Sequence, residues 1–132
     1  LIHATLIMAI AQRLVPTLCV DSKESVPVDG GIKMMIEKEL ADIPKQIKDK
    51  INVPGAVFRA KRSPTCPGGT KGRVAVFEVM EMTRELENVI LTNPSDAEIY
   101  RVSRENGLVT MREDALLKAF EGVVPFEEVS KL

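Results

Sequence analysis

The stretch Cys66-Pro-Gly-Gly-Thr-Lys-Gly-Arg-Val-Ala-Val-Phe-Glu-Val-Met-Glu-Met82 is where the reading of this chain begins. Its apolar block from Val74 to Val79 is rich in β-branched residues, and Gly68, Gly69 and Gly72 lead into it. That is the pattern of a strand entered through a tight turn. With a side-chain period of two, one row is Arg73, Ala75, Phe77, Val79 and Glu81, and the other is Val74, Val76, Glu78, Met80 and Met82. Both rows are apolar in the middle, which predicts a strand covered on both faces. Glu78 falls inside that block, where a carboxylate needs a partner such as Arg73, Arg59 or another cation.

The flanks read mostly as helix. Leu1 to Val15 is apolar nearly all round and predicts a buried helix that Pro16 ends. Arg13 is then a cation near a helix C-terminus, or an interface or phosphate contact. Cys19 to Gly31 reads as a loop. Ile32, Met35, Ile36, Leu40 and Ile43 form an amphipathic stripe up to Pro44. A short basic helix follows over Lys45 to Ile51, and a short strand over Ala56 to Ala60. That strand is expected to pair with the central one across the loop from Lys61 to Gly72. Beyond Thr83 the start and stop signals repeat. Thr83 caps Arg84 to Leu91. Ser95 and Glu98 form a capping box for a helix ending at Gly107, and Thr110 and Glu113 one for a helix ending at Gly122. Pro125 opens a last turn. The fold class is therefore α+β: mostly helical, with a small β-sheet centred on residues 73–80 and an all-helical C-terminal tail.

Composition excludes several functions. The chain has 132 residues, 45% of them hydrophobic, no Trp and a formal net charge of -1. No global field draws it to nucleic acid or to an acidic membrane. Lys45, Lys48 and Lys50 surround Asp49 without interleaved aromatics and read as a solvated helix face. The longest apolar stretch is short of the roughly 20 residues that a span needs. Gly68-Gly-Thr-Lys-Gly72 offers backbone N–H groups and Lys71, yet Gly-Arg follows the lysine and a strand follows them, unlike a P-loop. The two cysteines make no disulfide framework, which fits a reducing compartment. Cys19 and Cys66 each look like half of a Cys-x2-Cys knuckle, with Ser22 and Gly69 at the second positions. Two thiolates do not close a tetrahedral site, so no zinc is expected. His3, the only histidine, lies in the apolar start and offers neither cysteine a base. No catalytic or cofactor-binding residue is expected within the chain.

Three pieces nevertheless come in a specific order: Ile10-Ala-Gln-Arg-Leu-Val15 leading to Leu18-Cys19; Cys66-Pro followed by Gly69-Thr-Lys-Gly-Arg-Val-Ala-Val-Phe-Glu-Val79; and Gly107-Leu-Val-Thr-Met-Arg-Glu-Asp114, then Glu121-Gly122 and Pro125-Phe-Glu-Glu-Val129. Together they resemble the C-terminal end of the secretion ATPase family, the motors of type IV pilus assembly and type II secretion. The resemblance implies a RecA-like ATPase that uses ATP and Mg and works as a homo-hexamer. It also implies a cytoplasmic place at the inner membrane, against a platform protein. The segments that bind and hydrolyse ATP would precede this part. Residues 1–18 would then end the ATPase core, with Leu1 to Leu14 as a late helix. Residues 19–82 would form a metal-free cysteine-motif subdomain, and residues 83–132 a small helical one. Many relatives carry two Cys-x2-Cys pairs here, so Cys19 and Cys66 should lie near one another. Arg13, Lys71, Arg73 and Glu78 are the candidates for interface or structural contacts. The other reading of the chain is a stand-alone interaction module without ATPase activity.

Overall fold

A computed structural model of the chain describes residues 5–132. The expectations for Leu1, Ile2 and His3 lie outside them. Two long strands, β1 (Met8–Leu18) and β4 (Thr70–Glu81), form one antiparallel ladder, and two short ones, β2 (Glu24–Pro27) and β3 (Ala56–Arg59), form another. The helices are α1 (Gly30–Glu39), α2 (Lys45–Lys48), α3 (Arg84–Thr92), α4 (Asp96–Glu105) and α5 (Met111–Phe120), followed by a 3-10 helix, Phe126–Lys131. The class is α+β, with the helical tail where the capping signals put it.

The N-terminal helix is corrected: Met8–Leu18 is a strand. A short apolar run fits a buried strand as well as a helix. Ala9, Ala11 and Leu14 favour helix intrinsically, and the long-range ladder with β4 overrides that preference. The register runs from Met8 opposite Glu81 to Pro16 opposite Arg73 and shifts between Pro16 and Leu18. Pro16 therefore sits at an irregularity, where a residue without an N–H costs little. There the Thr17 hydroxyl donates to the Lys71 carbonyl. Two further corrections concern pairing. The segment from Cys19 to Gly31 contains β2, and β3 pairs with β2 through Val26 opposite Val57, not with β4. Loop residues 61–69 thus connect strands of different sheets.

Residues opposite one another in an antiparallel ladder share a face. Val15 and Val76 are buried in the core cluster. The other face carries Met8, Ile10, Leu14, Phe77 and Val79, and it is open: Ile10 is 60%, Leu14 51% and Phe77 44% exposed. The expectation of a strand covered on both faces is corrected to one covered face.

The core gathers around α5. Ala115, Leu116 and Ala119 are fully buried against Val15, Ile36, Val57, Val76, Val124 and Val129. Two small side chains on one helix face let the sheet and the 3-10 helix approach closely. Helices α4 and α5 both stop on glycine. At α5 the Gly122 N–H donates to the Ala119 carbonyl and the Val123 N–H to that of Lys118, with Gly122 at φ 76°. This is the left-handed helix stop that glycine adopts without steric penalty. Leu108, just after the Gly107 stop of α4, is buried as the motif's apolar contact.

Gly122 is also crowded. A Cβ there would lie 2.8 Å from Lys23 Nζ and 3.2 Å from the Phe58 ring, and that ammonium stands 4.2 Å from the centroid of the same ring and donates to the Gly122 carbonyl. Gly122→Ala is expected to cost about 1–2 kcal/mol from backbone strain, with more from the displaced lysine. Urea unfolding measures it; an unchanged midpoint would contradict the account of this helix stop.

Candidate functional site

The richest cluster of charged side chains lies around the first turn of α5. Thr110 caps it: its hydroxyl accepts from the Glu113 N–H at 3.2 Å, while the Glu113 carboxylate accepts from the Thr110 N–H at 2.9 Å. The capping box read from the sequence is therefore complete. At Ser95 only the serine half forms, with the hydroxyl accepting from the Glu98 N–H.

Glu113 does more than cap. It is 3% exposed and takes both terminal nitrogens of Arg104 at 2.6 Å. Arg104 also donates to the Leu108 carbonyl at 2.7 Å. The hydrogen bond to Glu113 outweighs the desolvation of Arg104 and raises the guanidinium further above its usual range. A buried charge is tolerated only when paired in this way. The pair locks α4 to α5 across the Gly107 turn.

The same turn grips two more elements. Glu78 of β4 accepts the Met111 N–H at 3.0 Å, and Asp114 of α5 accepts the Phe77 N–H of β4 at 2.9 Å. Strand and helix thus exchange carboxylates. Each satisfies a backbone donor that its own element leaves free, at a helix start in one case and on a strand edge in the other. Arg112 pairs with Glu39 of α1. Beside these contacts lies a groove of about 600 Å³, lined in part by Arg13, Lys38, Tyr100, Arg104 and Arg112.

The candidates from the sequence divide. Arg13 and Glu78 both line this groove. Lys71 and Arg73 are exposed at the far end of β4, where Arg73 faces Pro16 and Lys71 offers its carbonyl to Thr17. Glu78 takes a backbone N–H rather than Arg73 or Arg59, and Arg59 lies 3.8 Å from Glu24 instead. Arg104, Arg112 and Asp114 were missed. Each is one polar residue on an amphipathic helix, and nothing in its spacing distinguishes it from a solvated charge.

Cys19 and Cys66 meet as expected. Their Cα atoms are 6.6 Å apart and their sulfurs are joined as a disulfide across 47 residues. The two cysteines thus make one bond, which the count alone did not suggest. Ser22 stands in the Cys19 turn with a buried hydroxyl that lacks a hydrogen-bond partner, and Gly69, at φ 80°, donates its N–H to the Cys66 carbonyl. One joined pair of sulfurs with a serine and a glycine does not fit a tetrahedral zinc site. The Gly-rich loop enters a strand, and the α5 N-terminus, which would suit an anion, is filled by the chain's own carboxylates.

Removing one partner of the buried pair leaves the other charged and alone. Arg104→Ala is expected to destabilise the fold by about 3–5 kcal/mol. Arg104→Met combined with Glu113→Gln keeps the cap, removes both charges and should recover most of that loss. Chemical denaturation of the single and double variants reads this coupling; additive losses would refute it.

With this geometry in place, the comparisons with known proteins are specific. A family model described as "Type II/IV secretion system protein" matches residues 1–131. The type IV pilus assembly ATPase PilB of Thermus thermophilus is 32% identical over 130 residues, which cover 97% of this chain and 14% of the relative. PilB of Acinetobacter baylyi is 27% identical over 125 residues, 95% of this chain and 20% of the relative. The type II secretion system ATPase E of Vibrio cholerae is 29% identical over 133 residues, 100% of this chain and 24% of the relative. The chain thus spans 14 to 24% of the length of these relatives. Matched along almost its entire length, the chain belongs to the type II/IV secretion system protein family.

Proposed function

We propose that this chain is the C-terminal portion of a hexameric ATPase that powers type IV pilus assembly or type II protein secretion. It supplies packing and subunit contacts, while ATP and Mg are bound by other parts of the full-length protein. Residues 1–18 end the ATP-hydrolysing core, residues 19–82 form a cysteine-motif subdomain without metal, and residues 83–132 form a small helical subdomain. The working protein is cytoplasmic and meets the inner membrane through a platform protein; nucleic acid is not a partner. No helix among the described residues is long and apolar enough to cross a membrane.

The observation that carries this reading is the open apolar face of the β1–β4 ladder. Ile10, Leu14, Phe77 and Val79 are set at adjacent register positions on one side of the sheet. An exposed apolar patch of neighbouring residues marks a surface that something else covers. Here the cover is the remainder of the ATPase, or the next subunit of its ring. The covered side of the same ladder is tied to α5 by the Glu78 and Asp114 bonds. A force applied to the sheet therefore reaches the helical tail directly.

Two measurements test it. The chain alone, given ATP and Mg, is expected to show no turnover. In the full-length protein, Ile10→Lys and Val79→Lys are expected to abolish assembly into hexamers, read by light scattering, and to lower ATP hydrolysis at least tenfold. In the isolated chain the same changes should shift stability by no more than about 0.5 kcal/mol, as at other exposed positions. A full-length variant that still assembles and turns over normally would overturn the proposed covering of this face.

A further inference from the structure

We infer that Cys19 and Cys66 form a reversible dithiol–disulfide couple, a redox site at the root of the β1–β4 ladder. The pair is placed where a bond has leverage. Cys19 directly follows the last residue of β1, Cys66 lies four positions before the first residue of β4, and the ladder closes between them at Leu18 opposite Thr70. The bond, between cysteines 47 positions apart, encloses β2, α1, α2 and β3, most of the segment that separates the ladder's two strands.

The backbone holds each cysteine without help from the sulfurs. The Ser22 and Lys23 N–H groups both donate to the Cys19 carbonyl, at 3.3 and 3.0 Å. Ser63 and Cys66 exchange a pair of backbone bonds, each of 3.0 Å, and the Gly69 N–H donates to the Cys66 carbonyl. Opening the disulfide leaves these turns in place, so the two thiols still face one another and can close again. That separates a couple from a staple on which folding depends. Access is unequal: Cys66 is 4% exposed, while Cys19 is half-buried. Exchange with a small molecule therefore begins at Cys19 and is resolved by Cys66.

The chemistry balances with a low-molecular-weight disulfide as oxidant. The Cys19 thiolate attacks one of its sulfurs and expels one thiolate, giving a mixed disulfide. The Cys66 thiolate then attacks the Cys19 sulfur and expels the second. Two protein thiols lose two electrons and two protons, and one small disulfide becomes two thiols. A thiol pool runs the steps in reverse. That the bond is conditional rather than permanent rests on the cytoplasmic reading above, since a reducing compartment keeps thiols reduced unless a protein pair is poised to respond.

The test is equilibration of the chain in glutathione buffers of graded potential, with free thiols counted by alkylation and mass. A single two-electron step from two free thiols to none is expected, with equal far-ultraviolet dichroism in both states. Closing this loop restricts the unfolded chain, so the oxidised form should melt on the order of 10 °C higher. Hydrogen exchange on reduction should rise in residues 19–31 and 60–69 and stay low in α5. Cys19→Ser should melt with the reduced form in every buffer, and Cys66→Ala gives the same reading through the buried partner. Two free thiols in the most oxidising buffer, a mixed disulfide that persists at Cys19, a reduced form that unfolds, or equal melting of the two states would each overturn the couple. The titration is made in solution on the chain, so its failure leaves the family membership and the proposed role in the ATPase standing.

Discussion

A carboxylate with 3% of its surface exposed has to find its counter-charge inside the protein, and Glu113 finds it in both terminal nitrogens of Arg104. Much of the helical tail follows from that constraint. The pair fixes the distance between α4 and α5, so the Gly107 turn must be tight, and a glycine at φ 96° makes it so. Because Glu113 is the third residue of α5, the same carboxylate also fixes where the helix begins. The neighbouring residues then spread outward from this anchored turn: Arg112 to α1, Asp114 to β4, and the Met111 N–H to Glu78. Five consecutive residues, from Thr110 to Asp114, thus join two helices and a strand to α5. Buried ion pairs are weak sources of net stability. Their contribution here is to exclude other packings of α5, since any shift along its axis would strand a buried charge.

This explains which parts of the fold the sequence announced. Helix ends are encoded locally, by a hydroxyl, a carboxylate three residues on, and a glycine after the last turn. Thr83, Thr110, Gly107 and Gly122 all act as read. The α1 stripe is local too, and Ile36 at its centre is buried. Strand partners are not local. The run from Met8 to Leu18 has the composition of a buried helix, and what makes it a strand is β4, more than fifty residues away. For the same reason β3 was given the wrong neighbour. Arg104 was invisible because its partner lies on another helix, and a surface arginine and a buried one look alike in a periodic pattern.

The cysteines show the opposite case. Nothing in composition or spacing joins Cys19 to Cys66 across 47 residues. The likeness to a family with paired cysteine knuckles did, since it implied one place in the fold for both. Each cysteine stands in a turn closed by backbone bonds onto its own carbonyl, with Ser22 and Gly69 three residues on. Such turns are stable without a metal because their hydrogen bonds come from the main chain.

The contrast between the two faces of the β1–β4 ladder bears most on function. On one side Glu78 and Glu113 accept N–H groups at the α5 N-terminus and Asp114 accepts one on the edge of β4, while Nε of Arg104 and of Arg112, which line the groove beside them, is buried without a hydrogen-bond partner. On the other side the demand is apolar and unmet within the described residues. The chain uses Arg104, Glu113, Glu78 and Asp114 to fix its own helices and leaves hydrophobic surface on the open face of the ladder. The Glu78 and Asp114 bonds then matter twice, since they also tie the strand that carries the open face to the helical tail. Losing either bond would leave a backbone donor of β4 or of α5 without its carboxylate, so the two elements are held in one relative position.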